Sequence, residues 1–254
     1  MNGAGIRIAA ESSPGMVRKH NEDSFICLRL PERSSVLAAV ADGVGGHCNG
    51  GIASLVCCRD LARAYQRTCD AELETPGGGE EFLNTALGRS NRRLFERNAA
   101  EHHPRPMGST IVAALFFSDQ IVVASAGDSR MYELTGEGAL IQLTTDHTFA
   151  SEFAREFGRV PRCSPAMENV IARAVGPRHD LELDILRKPR TPRSRYLLCS
   201  DGAYRYWPEE ALRDLLSRAA SPREAVGLAM RRALLAGGRD NITVIAAFPE
   251  SGGE

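Results

Sequence analysis

The chain has 254 residues, 43 % of them hydrophobic, which is ample for one sizeable core. Its 31 Lys and Arg nearly balance 32 Asp and Glu, leaving a formal charge of −1, so no global field recruits nucleic acid or an anionic membrane. Seven cysteines, with Cys57 and Cys58 adjacent and no C-x-x-C pair, suit reduced thiols better than a disulfide framework or a structural zinc site; with no signal-like N-terminus and no long apolar run, a cytoplasmic location is expected.

In chain order, apolar runs predict strands over Ser24 to Leu30 and Ser35 to Ala41. Helical periodicity follows, with Ile52, Leu55, Val56, Leu61 and Tyr65 on one face, then Phe82, Leu83, Ala86, Leu87, Leu94 and Phe95 on another. TPGGGEE and HHPRPMG are short enough to be loops. Further strands are predicted over Ser109 to Phe117, Gln120 to Ala126, Arg130 to Leu134, Leu181 to Leu186, Arg195 to Cys199 and Asn241 to Phe248. Before the last of these, PEEALRDLLSRAA and SPREAVGLAMRRALLAGG predict a second helix pair, the latter with Ser221 as N-cap, Pro222 in the first turn and Glu224 three residues on. The brief turns imply antiparallel pairing. The expected class is α+β, a four-layer α-β-β-α sandwich of two antiparallel sheets flanked by helix pairs, forming a single domain over 1–254.

Three strings end or begin an apolar strand on a carboxylate beside glycine or a tight polar turn: VLAAVADGVGGH at Val36 to His47, LLCSDG at Leu197 to Gly202 and GGRDN at Gly237 to Asn241. Aspartate is a poor strand residue, and burying it unpaired is costly. A single Asp-Gly is most simply a turn. Three such strand-end sites, two of them Asp-Gly and the third Asp240-Asn241, with Asp23 in HNEDSF and Asp128 in GDSR, suggest a cluster. Carboxylates brought to about 4 Å repel by roughly 4 kcal/mol per pair at an effective dielectric near 20, so a cluster needs cations. Oxygen-rich donors point to Mg²⁺ or Mn²⁺ over zinc or copper.

Read in order, GMVRKHNEDSF, VADGVGGH, GSTIVAALF, SAGDSRMY, LTTDHT, NVIARAVG, LLCSDG and GGRDNITVI resemble the successive motifs of the metal-dependent protein phosphatases, the protein phosphatase 2C-like Ser/Thr phosphatases in their compact bacterial form. The resemblance covers about 15–248, with a flap at about 147–168. It implies a β-sandwich with two helices on each side and a dinuclear Mn²⁺ or Mg²⁺ centre. Asp42 would bridge both ions, the Gly43 carbonyl would bind one, and Asp201 and Asp240 the other. Asp128 would help hold a weaker third ion, Glu22 and Asp23 would act through bound water, and Arg18 would grip the substrate phosphate. Many eukaryotic relatives carry a histidine directly after the Asp-Gly, where Val44 stands here. His47 is therefore assigned to the architecture ahead of acid catalysis. Arg155, Arg159 and Arg162 in the flap are candidates to meet an acidic phosphopeptide, or form an ordinary solvated face. YRYW at Tyr204 to Trp207 replaces the residues that commonly follow the family's second Asp-Gly. The implied reaction is hydrolysis of phosphoserine and phosphothreonine in proteins, reversing a Ser/Thr kinase in bacterial signalling. The implied partner is that kinase or its target, with no nucleic acid or membrane and a monomeric enzyme.

Two rivals remain. CSDGAYR fits the C-x-x-x-x-x-R loop of cysteine-dependent phosphatases, with Cys199 as nucleophile, but Cys27 to Arg33 and Cys57 to Arg63 fit equally. A non-catalytic regulatory module on the same fold should have lost metal-site carboxylates, and Asp42, Asp201 and Asp240 all stand.

Overall fold

The computed structural model describes residues 5–31, 33–45, 49–75, 77–102, 105–191 and 193–250. The elements in order are β1 (Ile6–Ser13), β2 (Asp23–Leu28), β3 (Val36–Val44), α1 (Gly50–Arg67), α2 (Asp70–Leu73), α3 (Gly78–Glu101), β4 (Gly108–Ser109), β5 (Ile111–Phe116), β6 (Gln120–Ala126), β7 (Arg130–Leu134), β8 (Leu140–Gln142), α4 (Phe149–Phe157), α5 (Pro165–Glu168), β9 (Asp184–Pro189), β10 (Arg195–Cys199), α6 (Asp201–Tyr204), α7 (Glu209–Arg218), α8 (Pro222–Leu235) and β11 (Ile242–Pro249). One sheet runs β1-β11-β10-β7-β8, the other β2-β3-β5-β6-β9 with β4 beside β3, and every pairing is antiparallel.

Strand alternation sorts the apolar residues into three cores. In β3, Leu37, Ala39 and Ala41 face the core covered by α1 and α3, where Leu61, Tyr65, Leu83 and Leu87 pack. The alternate residues Val36, Ala38 and Val40 face the other sheet and meet Phe116, Met131, Tyr196 and Ile245. On the far side Leu197, Val244 and Phe248 pack against Leu212 and Leu216 of α7 and Val226 and Met230 of α8. The four expected layers follow: helices, sheet, sheet, helices. A strand buried on both faces reads as an unbroken apolar run, which is why VLAAVA signals β3 so plainly. Continuing the alternation, Asp42 falls in the set that faces between the sheets, just where β3 leaves the core.

The second helix pair begins as its sequence requires. Ser221 caps α8, accepting from the Glu224 amide at 3.2 Å, while the Glu224 carboxylate accepts from the Ala220 amide at 2.7 Å. Four predicted strands keep their centres, and β6, β7 and β10 match end to end. Four strands differ from expectation. β1, β4 and β8 were not predicted: β1 is an edge strand whose IRIAAESS is half polar, recruited by β11 from the other end of the chain, and β4 and β8 are very short. The strand expected over Leu181 to Leu186 begins at Asp184, because pairing with β6 sets its register while Leu181 and Leu183 pack under the first helix layer instead. The flap contains α4 and α5 and is closed at its base by a bridge between Thr148 and Ile171. Among the described residues no helix is long and apolar enough to cross a membrane.

Ser221→Ala removes the α8 cap and is expected to cost about 1 kcal/mol. Leu61→Ala, at a fully buried site, is expected to cost about 2–5 kcal/mol. Urea unfolding followed by circular dichroism measures both.

Candidate active site

The acidic residues converge because three backbone segments approach more closely than side chains would allow. The β2–β3 register sets Asp23 directly opposite Asp42. Asp201 opens α6 immediately after β10, and Asp240 precedes β11. A Cβ on Gly43 would lie 2.2 Å from the backbone of Gly50 at the start of α1, and one on Gly202 would lie 2.0 Å from the Asn241 carbonyl oxygen. Only glycine fits at either place. The Asp-Gly pairs are therefore contact points between loops as well as turns.

Polar side chains then lock the segments. Asn241 accepts the Glu22 amide at 2.8 Å and donates to the carbonyls of Pro14 at 3.2 Å and His20 at 2.9 Å. One asparagine thus ties the segment carrying Arg18 and Glu22 to the residue after Asp240. Arg18 Nη2 donates to Asp240 Oδ2 at 2.8 Å while its side chain remains 53 % exposed. Asp23 Oδ2 accepts from the hydroxyls of Ser200 and Thr243, each at 2.7 Å. Thr110 donates its amide to the Asp42 carbonyl at 2.8 Å, its hydroxyl receives the Asp42 amide at 3.1 Å, and the same hydroxyl lies 2.7 Å from Ser129. That chain of bonds joins β3 to the loop carrying Asp128. Buried His147 braces the same loop: Nδ1 accepts the Gly127 amide at 3.1 Å, so Nε2 carries the proton and faces Asp184 at 3.1 Å.

The cluster has too much negative charge for its setting. Burial, then the charges of Asp23, Asp201, Asp128 and Asp240, pushes the Asp42 carboxyl well above the ordinary range. Burial pushes Asp23 up to about 6 against the hydroxyl bonds of Thr243 and Ser200. Asp128 is likewise pushed to about 6, by burial and by Asp201, with Arg205 opposing. Asp201 is raised by burial, with Arg205 opposing. Glu22 Oε1, Asp23 Oδ1 and Asp128 Oδ1 are buried without hydrogen-bond partners. Oxygen-only donors, mutual repulsion and unpartnered buried oxygens fit hard divalent cations. Among the described residues no three His, Cys, Asp or Glu side chains stand placed to hold a metal ion together; Asp240 and Asp201 are each engaged by an arginine.

Of the residues singled out in the sequence, Arg18, Glu22, Asp23, Asp42, Gly43, Asp128, Asp201 and Asp240 lie at or beside this edge. The flap arginines do not join them: Arg155 pairs with Glu152, Arg159 stacks 5.7 Å from the Phe153 ring, and Arg162 is exposed. His47 lies outside the described residues. Cys199 is fully buried on β10 and its thiol is pushed far above its usual value by burial, so it cannot act as an attacking thiolate. Sequence reading gave Asn241 and Thr110 no role and placed Arg205 only in the rival cysteine loop, not beside the carboxylates. Arg205 had a signal, because DGAYR places an arginine four residues after Asp201 on a helical turn.

Residues 17–236 match the family model described as Protein phosphatase 2C. The chain is 33 % identical over 233 residues to the serine/threonine phosphatase stp of Listeria welshimeri, covering 91 % of each. Among solved structures it resembles PppA, a key regulatory component of T6SS in Pseudomonas aeruginosa, at 33 % identity and a TM-score of 0.81, covering 96 % of this chain and 97 % of that one. It also resembles the catalytic domain of the serine/threonine protein phosphatase PstP in complex with two manganese ions, at 32 % identity and a TM-score of 0.79, with the same coverage.

An ordinary aspartate titrates near 4, whereas Asp23 and Asp128 in the folded chain titrate at about 6. Between those values the folded chain holds more protons than the unfolded one, so each group's contribution falls as pH rises from about 4 to about 6 and then levels off. Metal-free protein is expected to lose stability across that window, and Asp23→Asn to lose less of it. Denaturant titrations between pH 4 and 7 read the difference in slope.

Proposed function

The chain belongs to the protein phosphatase 2C family and is a protein-serine/threonine phosphatase, and on that premise we propose that it hydrolyses phosphoserine and phosphothreonine at the carboxylate edge of the sandwich. The observation that carries the reading is the convergence of carboxylates from separate elements, with buried oxygens left unpartnered and one arginine exposed at the mouth. Asp42, the Gly43 carbonyl, Asp201 and Asp240 would hold two Mn²⁺ or Mg²⁺ ions, with Glu22 and Asp23 reaching them through water. Such a pair, when bound, supplies Lewis acidity that makes hydroxide available near neutral pH and offsets charge on the leaving oxygen.

The chain's own residues do the rest. Arg18 spends one N–H on Asp240, which holds the planar guanidinium at the rim and leaves other donors free for two phosphoryl oxygens side by side. Asn241 keeps the Arg18 segment from drifting. The Ser200 and Thr243 hydroxyls fix one oxygen of Asp23 and leave the other buried without a partner. Arg18 and Asp240 are partly exposed, so the mouth is open enough for a phosphorylated side chain projecting from a protein surface. With Cys199 sealed in the core no covalent phosphoenzyme forms on it. The region 15–248 acts as one catalytic domain, and the physiological substrate is a protein phosphorylated by a Ser/Thr kinase, or the kinase itself.

Mn²⁺-loaded protein is expected to release phosphate from a phosphothreonine peptide and to stop when chelator is added. Arg18→Ala is expected to lose about 10²-fold in kcat/KM, and Cys199→Ser to retain activity. If loaded protein releases phosphate from neither p-nitrophenyl phosphate nor phosphothreonine peptides, the non-catalytic module becomes the correct reading. Mn²⁺ is also expected to raise the melting temperature by relieving carboxylate repulsion, with Asp201→Asn giving a smaller rise in differential scanning calorimetry.

A further inference from the structure

We infer that Arg205 is a resident cation for the pair Asp201 and Asp128, standing where a third divalent ion was expected, so that this chain takes two metal ions and not three. The inference rests on the metal-dependent reading above. Arg205 Nη2 lies 2.8 Å from Asp201 Oδ2 and 3.6 Å from Asp128 Oδ2. Asp128 is only 2 % exposed, and its second oxygen is buried without a partner. Among the described residues Arg205 is the one cation that ion-pairs with Asp128.

The arginine is aimed by the helical turn that carries it, with its side chain 42 % exposed. Its amide closes the α6 turn onto the Asp201 carbonyl at 3.1 Å, so the side chain at the fourth position folds back along the same face. The preceding residue, Tyr204, lies beneath the Arg130 guanidinium, 3.7 Å from the ring centroid. Arg130 is itself gripped by both oxygens of Asp146, at 2.8 and 2.6 Å. A guanidinium so aimed carries unit positive charge at every working pH. It stands 3.6 Å from Asp128, and a divalent ion placed next to it would be repelled. YRYW, the departure from the residues that commonly follow the second Asp-Gly, supplies this arginine.

The test is Mn²⁺ stoichiometry by equilibrium dialysis at millimolar metal, with the melting temperature recorded to show that each variant folds. Wild type is expected to bind about two ions per chain, Arg205→Ala and Arg205→Gln about three, and Arg205→Ala combined with Asp128→Asn about two again. Three ions in wild type would overturn the inference, as would two in both single variants, or a third ion that persists when Asp128 is also changed. Fewer than two in wild type would instead defeat the dinuclear reading on which the inference rests.

Discussion

Everything at the working edge of this protein follows from one electrostatic constraint: aspartates from four strand ends and a loop are brought together where water is scarce. Left alone they repel, and the fold carries that cost because the packing elsewhere holds the strands in register. Burial raises Asp42, Asp23, Asp128 and Asp201 together, since each is desolvated and most face another carboxylate. Arginines at two sides take part of the charge, Arg18 on Asp240 and Arg205 on Asp201. What they leave uncompensated is the attraction for divalent cations.

Stability and chemistry are separated in space. The three apolar cores run through the sandwich and beneath the helix pairs, while the charged cluster sits where β3 and β10 end and β11 begins. Alternation along β3 does both jobs: the parity that puts Val36, Ala38 and Val40 between the sheets also directs Asp42 to the place where the sheets part. Small polar residues join the two regions. Thr110, Ser200, Thr243 and Asn241 each bond an acidic residue or the loop that carries one, so strand register is transmitted directly to the site.

Much of this was legible in the sequence, for identifiable reasons. β3, β5, β6, β10 and β11 are covered on both faces, so they appear as unbroken apolar runs, and α8 announces itself through Ser221, Pro222 and Glu224. β1 and β9 were harder to read because edge strands carry mixed polarity and are defined by the partner they pair with. Arg155 shows what letters alone leave open. Of the two readings of the flap arginines, a peptide-facing group or a solvated face, a string of letters favours neither, and the fold pairs Arg155 with Glu152 three residues earlier.

By itself the sequence determined the carboxylates, the glycines beside them, the order of the motifs and the helix caps, because each is a local choice of residue at a local backbone position. Tertiary structure alone decided that Asp23 faces Asp42 across a strand pair, that Gly43 and Gly202 are sites of backbone contact, and that Asn241 holds the segment bearing Arg18. It also decided that the arginine pairing with Asp201 one helical turn away comes within reach of Asp128 as well. Apart from the local pair of Arg205 with Asp201, these relations join residues distant in the chain, and only pairing and packing set the distances at which charge is felt. VADGVGGH thus states that a carboxylate will stand at a strand end, while the fold determines which other charges it must meet there.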